Sequence, residues 1–563
     1  MREPHRARDR SAGMTAGAGR SAGAGRNPLS LNLVLAGWLA TAGNLPFWQS
    51  FRALPEHAGL RGLGFALVAL VMIAALLFAL LSLLSWRRLV RPLAVLLLLI
   101  AAGSTHFMLA YGIVIDATMV SNVLNTNATE VRDLMSWQML LSMVLVMAPP
   151  LAWLARTPVR VLPWASQLWR NLAAFAVSLC VLVACLLLGY QQLASVMRNH
   201  KELRYRVNPL NTVYATGRLM TERVPRTRLP LAPVGEDARL GPSYAAQTAP
   251  PVLLLVVGET ARAQNFSVGG YARETTPHLA RRKAAGEIAY FGNVRSCGTN
   301  TQVSVPCMFS HLGRVGYGAT AQDHENLLDV FARAGLAVLW IDNQSGCKGL
   351  CARVPSVETR TLDVPKLCAD GECLDEVMLA GLDARIAALD PGRAARGVVV
   401  VMHQMGSHGP AYHRRSPPQH KPFLPECTTN ALQECPNAAL VNAYDNSIRY
   451  TDHVLDATIA WLQRRRGDAA MIYVSDHGES LGENNVYLHG LPYALAPDQQ
   501  TRVPMVMWLS ASMQRRTGAT IDCLQSRADR PLSHDNLFHT ALGLMDVRTA
   551  ARNPALDLSD GCG

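Results

Sequence analysis

At 563 residues the chain is too long for one ordinary hydrophobic core, so at least two domains are expected. Half of it is hydrophobic and only 17% is charged, which excludes a collagenous, disordered or wholly water-soluble protein. The net charge of +12 would suit a nucleic-acid partner, but the basic residues crowd around apolar runs instead of forming a patch. No nucleic acid is expected.

Residues 1–26 are rich in Arg, Gly, Ala and Ser and read as a disordered basic tail, too polar for a secretory signal. Five stretches without Asp, Glu, Lys or Arg follow, at 27–51, 62–85, 92–115, 134–155 and 171–197. Each is long enough for a membrane-spanning helix, which needs about 20 residues. The expected architecture is thus a five-span α-helical transmembrane domain over 27–197. Arg is unevenly placed: six before the first run, then Arg87, Arg88 and Arg91, then Arg156, Arg160 and Arg170 on one side, against Arg52, Arg61 and Arg132 on the other. By the positive-inside rule the N-terminus is cytoplasmic, and the loop 116–133 and everything after the last run are exported. Residues 198–250 read as an interfacial helix and linker. Arg198, Lys201, Arg204 and Arg206 stand just past the last run, and five Pro fall within 224–250.

From Pro251 onward short apolar runs alternate with helix-like stretches, which predicts a soluble α/β domain over 251–563 with a mainly parallel sheet. Its strand candidates are Val252–Val257, Ala337–Ile341, Val398–Met402, Met471–Ser475 and Val503–Leu509. Ten of the 12 Cys lie in this half. They pair by proximity as Cys297/Cys307, Cys347/Cys351, Cys368/Cys373 and Cys427/Cys435, and Cys523 and Cys562 are left for each other. No pair has zinc-knuckle spacing, so disulfides in an oxidising compartment are expected.

Ligands of open α/β sheets gather at the C-terminal ends of strands. There the chain places Gly258-Glu259-Thr260, His403-Gln404-Met405-Gly406-Ser407-His408, and Asp476-His477-Gly478-Glu479. A carboxylate at one strand end, with Asp and His at another, suits Zn²⁺, provided the chain turns at Gly478. The loop Ser296–Cys307 carries three hydroxyl residues, Thr299, Thr301 and Ser304, any of which can be a nucleophile once activated. Spacing does not choose among them.

Together these motifs resemble those of the lipid A phosphoethanolamine transferases, membrane-anchored members of the alkaline-phosphatase/sulfatase superfamily. The resemblance rests on Gly258-Glu259-Thr260, the Ser296–Cys307 loop, Asp342–Gly349, His403–Pro410, and Ser475–Glu483 followed by His489-Gly490. The exported loop Tyr111–Glu130 also looks like the family's. The resemblance implies an alkaline-phosphatase/sulfatase-like fold and Zn²⁺ bound by Glu259, Thr299, Asp476 and His477, with Thr299 as nucleophile. It implies that Lys348, His408 and His489 hold phosphate or move protons, and that Asn122, Thr126, Glu130 and Gln344 meet the donor head group. The activity implied is transfer of phosphoethanolamine from phosphatidylethanolamine to a lipid A phosphate through a phospho-threonine, giving polymyxin resistance. The setting implied is a multi-pass Gram-negative inner-membrane protein, monomeric, among membrane lipids, with its catalytic domain in the periplasm. Transfer to a core sugar or a protein, or phosphodiester hydrolysis, is the competing reading. A matured sulfatase nucleophile is excluded, because Ser304-Val305-Pro306-Cys307 is followed by Met308 where the sulfatase pattern has Arg.

Overall fold

The computed structural model describes residues 25–562 except 55–58, 127, 191, 194–195, 197–199, 201, 227–228, 321, 370 and 466. The tail expected over 1–26 lies almost wholly outside the described residues, as do Arg198 and Lys201. Two compact units result. One comprises Met1–Gly103, Ser142–Leu203 and Val207–Pro209; the other comprises Ser104–Leu141, Arg204–Arg206 and Leu210–Gly563.

The longer N-terminal helices are α1 (Pro28–Thr41), α2 (Leu45–Arg52), α3 (Gly59–Leu83), α4 (Val90–Tyr111), α5 (Ala117–Asn125), α6 (Ala128–Leu134), α7 (Trp137–Arg156), α8 (Trp164–Leu188) and α9 (Leu210–Arg226). Among the described residues, four helical segments are long and apolar enough to cross a membrane: Gly62–Leu83, Val90–Tyr111, Trp137–Arg156 and Trp164–Leu188. The first apolar run is not one of them. It breaks at Ala42–Asn44, where the Asn44 amide donates to the Leu39 carbonyl at 2.7 Å and Pro46 starts the next helix. Its longer piece, α1, has 14 residues and rises only about 21 Å, short of a hydrocarbon core of about 30 Å. Within the first unit α3 packs on α8 and α1, and a chain of buried amides crosses these helices. Asn32 donates to Leu81 O (3.1 Å) and Ser85 Oγ (2.7 Å), Asn171 to Ser85 O (3.3 Å), and Gln167 to Asn171 (2.7 Å). Among apolar helices such bonds fix register.

In the second unit eight strands form one sheet. They are β1 (Val252–Gly258), β2 (Ile288–Arg295), β3 (Ala337–Asp342), β4 (Ser356–Glu358), β5 (Val398–His403), β6 (Ala469–Ser475), β7 (Arg502–Leu509) and β8 (Leu532–Ser533), in spatial order β8-β2-β7-β6-β1-β5-β3-β4. The central pairs β6–β1, β1–β5 and β5–β3 are parallel, whereas β7 runs antiparallel to both β6 and β2. The unbroken Val/Leu/Ile runs follow from burial on both faces. Leu253, Leu255 and Val257 enter one hydrophobic layer with Phe291 and Trp340, while Val252, Leu254 and Val256 enter the other, with Tyr444 and Leu455. That second layer is roofed by the 27-residue helix Asn437–Gln463.

All five disulfides expected from proximity and parity are formed. Cys523–Cys562 closes 39 residues and constrains the unfolded chain by about 4 kcal/mol on the loop-entropy scale. Cys347–Cys351 closes only 4, about 2 kcal/mol on the same scale, so its effect is chiefly local. Cys180 and Cys185 are free.

Candidate active site

Strands β1 and β6 are parallel neighbours with Gly258 beside Ser475, so the residues that follow them emerge together. Glu259, Asp476 and His477 are completely buried, and one ligand atom from each lies within 4.8 Å of the others. His477 Nε2 is 3.4 Å from Glu259 Oε1 and 3.3 Å from Asp476 Oδ2. The turn that brings them there depends on close approach: a Cβ on Gly478 would sit 2.0 Å from the Gln499 carbonyl. After Glu259, Thr260 adopts φ +52°, a left-handed conformation that costs a non-glycine residue about 1–2 kcal/mol. Tyr444 braces that turn, its hydroxyl donating to Thr260 O (2.7 Å) and accepting from Arg262 N (3.0 Å).

The electrostatics of the cluster call for a cation. Burial pushes the Asp476 carboxyl up, and the charge of Glu259 pushes it further. Burial acts the same way on Glu259, but hydrogen bonding to His477 and the charges of His477, His408 and His403 hold it down. Asp476 Oδ2 is buried without a hydrogen-bond partner, an arrangement rare in folded proteins unless an ion completes it. Two carboxylates and an imidazole fit a borderline divalent metal.

The three competing hydroxyls occupy three different places. Thr301 Oγ1 donates toward Glu259 Oε1 and Oε2 at 3.2 and 3.1 Å and lies 3.4 Å from His477 Nε2. Thr299, expected to be both nucleophile and ligand, turns away and donates to the Leu491 carbonyl at 2.7 Å. Ser304 donates to the Asp476 carbonyl at 2.5 Å. The physical reason is the helix start. Asn300 caps the helix Thr301–Met308, accepting from Val303 N at 3.1 Å, so Thr301 is the first helical residue and presents its hydroxyl at the helix N-terminus. The Cys297–Cys307 disulfide ties this loop to its helix.

Above Thr301 a pocket is lined by Asn122, Asn125, Thr126, Thr301, Gln302, Gln344, Ser345, Lys348, His408 and His489. Of the residues expected around substrate, Asn122, Thr126, Gln344, Lys348, His408 and His489 are thus brought together; the side chain of Glu130 lies outside the described residues. Lys348 donates to Ser345 Oγ (2.7 Å) and Ser345 O (3.1 Å), and Gln344 Oε1 accepts from Ser345. The His489 ring centre is 4.3 Å from that of His477 and that of His408 is 5.7 Å from His489, forming an imidazole row beside Thr301. His403 stands behind the cluster: its Nδ1 is 3.1 Å from Asp342 Oδ2 and its Nε2 is 3.9 Å from Glu259 Oε2.

One functional partner escaped the sequence reading. Glu479, completely buried, meets His489 Nδ1 with Oε1 at 3.2 Å, which turns the other ring nitrogen toward the pocket. Its only sequence signal was position, three residues past Asp476 in a strand-end motif.

Known proteins resemble this chain over nearly its whole length. The family profile described as Sulfatase matches residues 251–547, and the one described as Phosphoethanolamine transferase EptA/EptB matches residues 73–224. Phosphoethanolamine transferase EptA of Escherichia coli (strain K12) is 41% identical over 547 residues, covering 95% of this chain and 97% of that protein. Phosphatidylethanolamine transferase Mcr-1 of Escherichia coli is 36% identical, covering 92% and 95%. The solved integral membrane protein lipooligosaccharide phosphoethanolamine transferase A from Neisseria meningitidis superposes with a TM-score of 0.87 at 35% identity, covering 94% of this chain and 98% of that one. With that identity over nearly the whole of both chains, the protein belongs to the membrane-anchored phosphoethanolamine transferases.

Proposed function

We propose that this protein moves phosphoethanolamine from phosphatidylethanolamine to a phosphate of lipid A, at the periplasmic face of a Gram-negative inner membrane, and so confers resistance to polymyxin. The relatives' names and coverage support the reaction class. The observation that carries the chemistry is the Thr301 hydroxyl held against the buried Glu259–Asp476–His477 cluster at the foot of a polar pocket. The orientation rests on the Arg asymmetry and the five disulfides; a fifth crossing would use α1 and α2 together.

In this reading Thr301, not Thr299, is the nucleophile. Glu259, Asp476 and His477 would hold Zn²⁺, which when bound stabilises negative charge on oxygen and lowers the pKa of a nearby hydroxyl. Thr301 Oγ1 attacks the donor phosphorus, giving up its proton along the bond that points to Glu259. Lys348 supplies positive charge to the phosphoryl oxygens. An imidazole of the His408–His489 row protonates the departing diacylglycerol oxygen. After the acceptor enters, the same row takes its proton, the acceptor oxygen displaces Thr301 from phosphorus, and the Thr301 oxygen regains the proton held at Glu259, which restores the enzyme. Asn122 and Thr126 form the wall that meets the head group.

Reconstitution of the full chain with phosphatidylethanolamine and lipid A tests this. Mass spectrometry is expected to find lipid A carrying added phosphoethanolamine, with the reaction stopped by a zinc chelator and restored by zinc. Unmodified lipid A beside released phosphoethanolamine overturns the transferase reading in favour of a hydrolase.

A further inference from the structure

We infer that Arg415 is a positioning residue that ties the catalytic loop of His408 to the helical wall of the pocket. Its side chain is 4% exposed, and its guanidinium faces three segments far apart in the chain. Nε donates to the His408 carbonyl at 2.9 Å, Nη1 donates to Glu372 Oε2 at 2.9 Å, and Nη2 lies 3.7 Å from Asp133 Oδ2. Asp133 belongs to α6, the helix that follows the pocket-lining α5. Its backbone carbonyl also accepts from Asn430 at 2.7 Å, and its carboxylate lies 3.3 Å from Arg414. Glu372 sits on a short hairpin closed by Cys368–Cys373.

This arrangement answers a mechanical problem. Beside His408, Ser407 accepts from Ser447 Oγ at 2.8 Å and Gly409, whose missing Cβ would lie 2.6 Å from the Tyr412 hydroxyl, has no side chain, so this loop meets α6 through the backbone carbonyl that Arg415 holds. The His408 N–H is held by the Met405 carbonyl at 3.2 Å, and its carbonyl is held by Arg415. Because the same guanidinium ends on Asp133, the imidazole and the wall that carries Asn122 and Thr126 are referred to one rigid group. A second small cavity shares Gln344, Ser345 and His408 with the pocket above Thr301 and adds Asp133, Glu372, Met405, Gly409 and Arg415, so the brace lines a cavity that adjoins the active site. Lysine cannot reproduce it, since one ammonium lacks the planar fork that serves three directions.

The inference rests on the transferase reading, and its test uses the full chain reconstituted with phosphatidylethanolamine and lipid A. Arg415→Lys is expected to lower kcat about a hundredfold, the scale of a misplacement near 1 Å in a catalytic group, with zinc content unchanged. Asp133→Asn is expected to act chiefly on KM for the donor, raising it about tenfold, because the wall loosens while His408 keeps its carbonyl bond. In the double variant the losses should fall short of their product, the signature of residues sharing one network. Wild-type kcat and KM in Arg415→Lys overturn the inference, as does a fall in thermal midpoint with kcat unmoved. Should the lysine variant not fold, Asp133→Asn decides alone: an unchanged KM overturns the coupling. A wild-type protein that transfers nothing overturns the functional reading and this inference with it.

Discussion

The assignment of the nucleophile to Thr301 separates two residues that stand two apart in the chain. Thr301→Ala removes the loop hydroxyl that donates to Glu259, and loss of a nucleophile acting within a catalytic unit costs about 10⁴-fold or more in rate. Thr301→Ser keeps the oxygen and loses a γ-methyl at a site 7% exposed. One buried methyl is worth about 0.8 kcal/mol, and the freed χ1 adds rotamers that miss the phosphorus, so activity should fall about tenfold. Thr299→Ala behaves differently. It leaves the buried Leu491 carbonyl without its donor, which costs about 1–3 kcal/mol of stability but removes no reacting atom, so transfer should persist within about tenfold of wild type. Each variant would be assayed by lipid A mass spectrometry, with thermal midpoint measured in parallel. Donor lipid supplied without acceptor would trap the covalent intermediate, and fragmentation of the peptide between Arg295 and Arg314 would locate it. An adduct on Thr299 or Ser304, or an active Thr301→Ala protein, refutes the assignment.

Two further outcomes follow from single contacts. Glu479→Gln keeps the volume but removes the charge that faces His489 Nδ1 at 3.2 Å; kcat should drop about ten- to hundredfold with little change in KM, and full activity would show that the carboxylate does not orient the ring. Burial pushes the Asp452 carboxyl up to about 7, even though it accepts from the backbone N–H groups of His278 and Leu279 at 2.9 and 2.8 Å. With the folded value above the unfolded one, its stabilising contribution is complete below about 3.8 and is lost as pH rises through about 7. Asp452→Asn cannot ionise, so its thermal midpoint should gain on wild type between about pH 4 and pH 7; a constant difference across that range refutes the assignment.

Much of this protein was legible in one dimension because its signals are local. Continuous runs such as Val398–Met402 announce strands covered on both faces, and the residues just beyond them lie at the ligand end of a parallel sheet. Four cysteine pairs are close enough in sequence that proximity alone selects the partner, and parity then leaves Cys523 for Cys562. What stayed hidden depends on direction and on distant partners. The strand Ile288–Arg295 went unrecognised because Gly292 and Asn293 interrupt its apolar pattern, and the antiparallel course of Arg502–Leu509 between two neighbours leaves no mark in its composition. The first apolar run has the length of a span, yet one asparagine capturing the Leu39 carbonyl breaks it. Thr299 and Thr301 are equivalent by residue type; only the helix start at Thr301 decides which hydroxyl meets Glu259 and which meets Leu491. The buried partners Glu479 for His489 and Arg415 for His408 belong to the same class, because a side chain's orientation is set by the packing around it and not by its neighbours in sequence. Local periodicity and spacing determined the elements and the chemistry available, while the tertiary structure decided which atom of that chemistry faces the substrate.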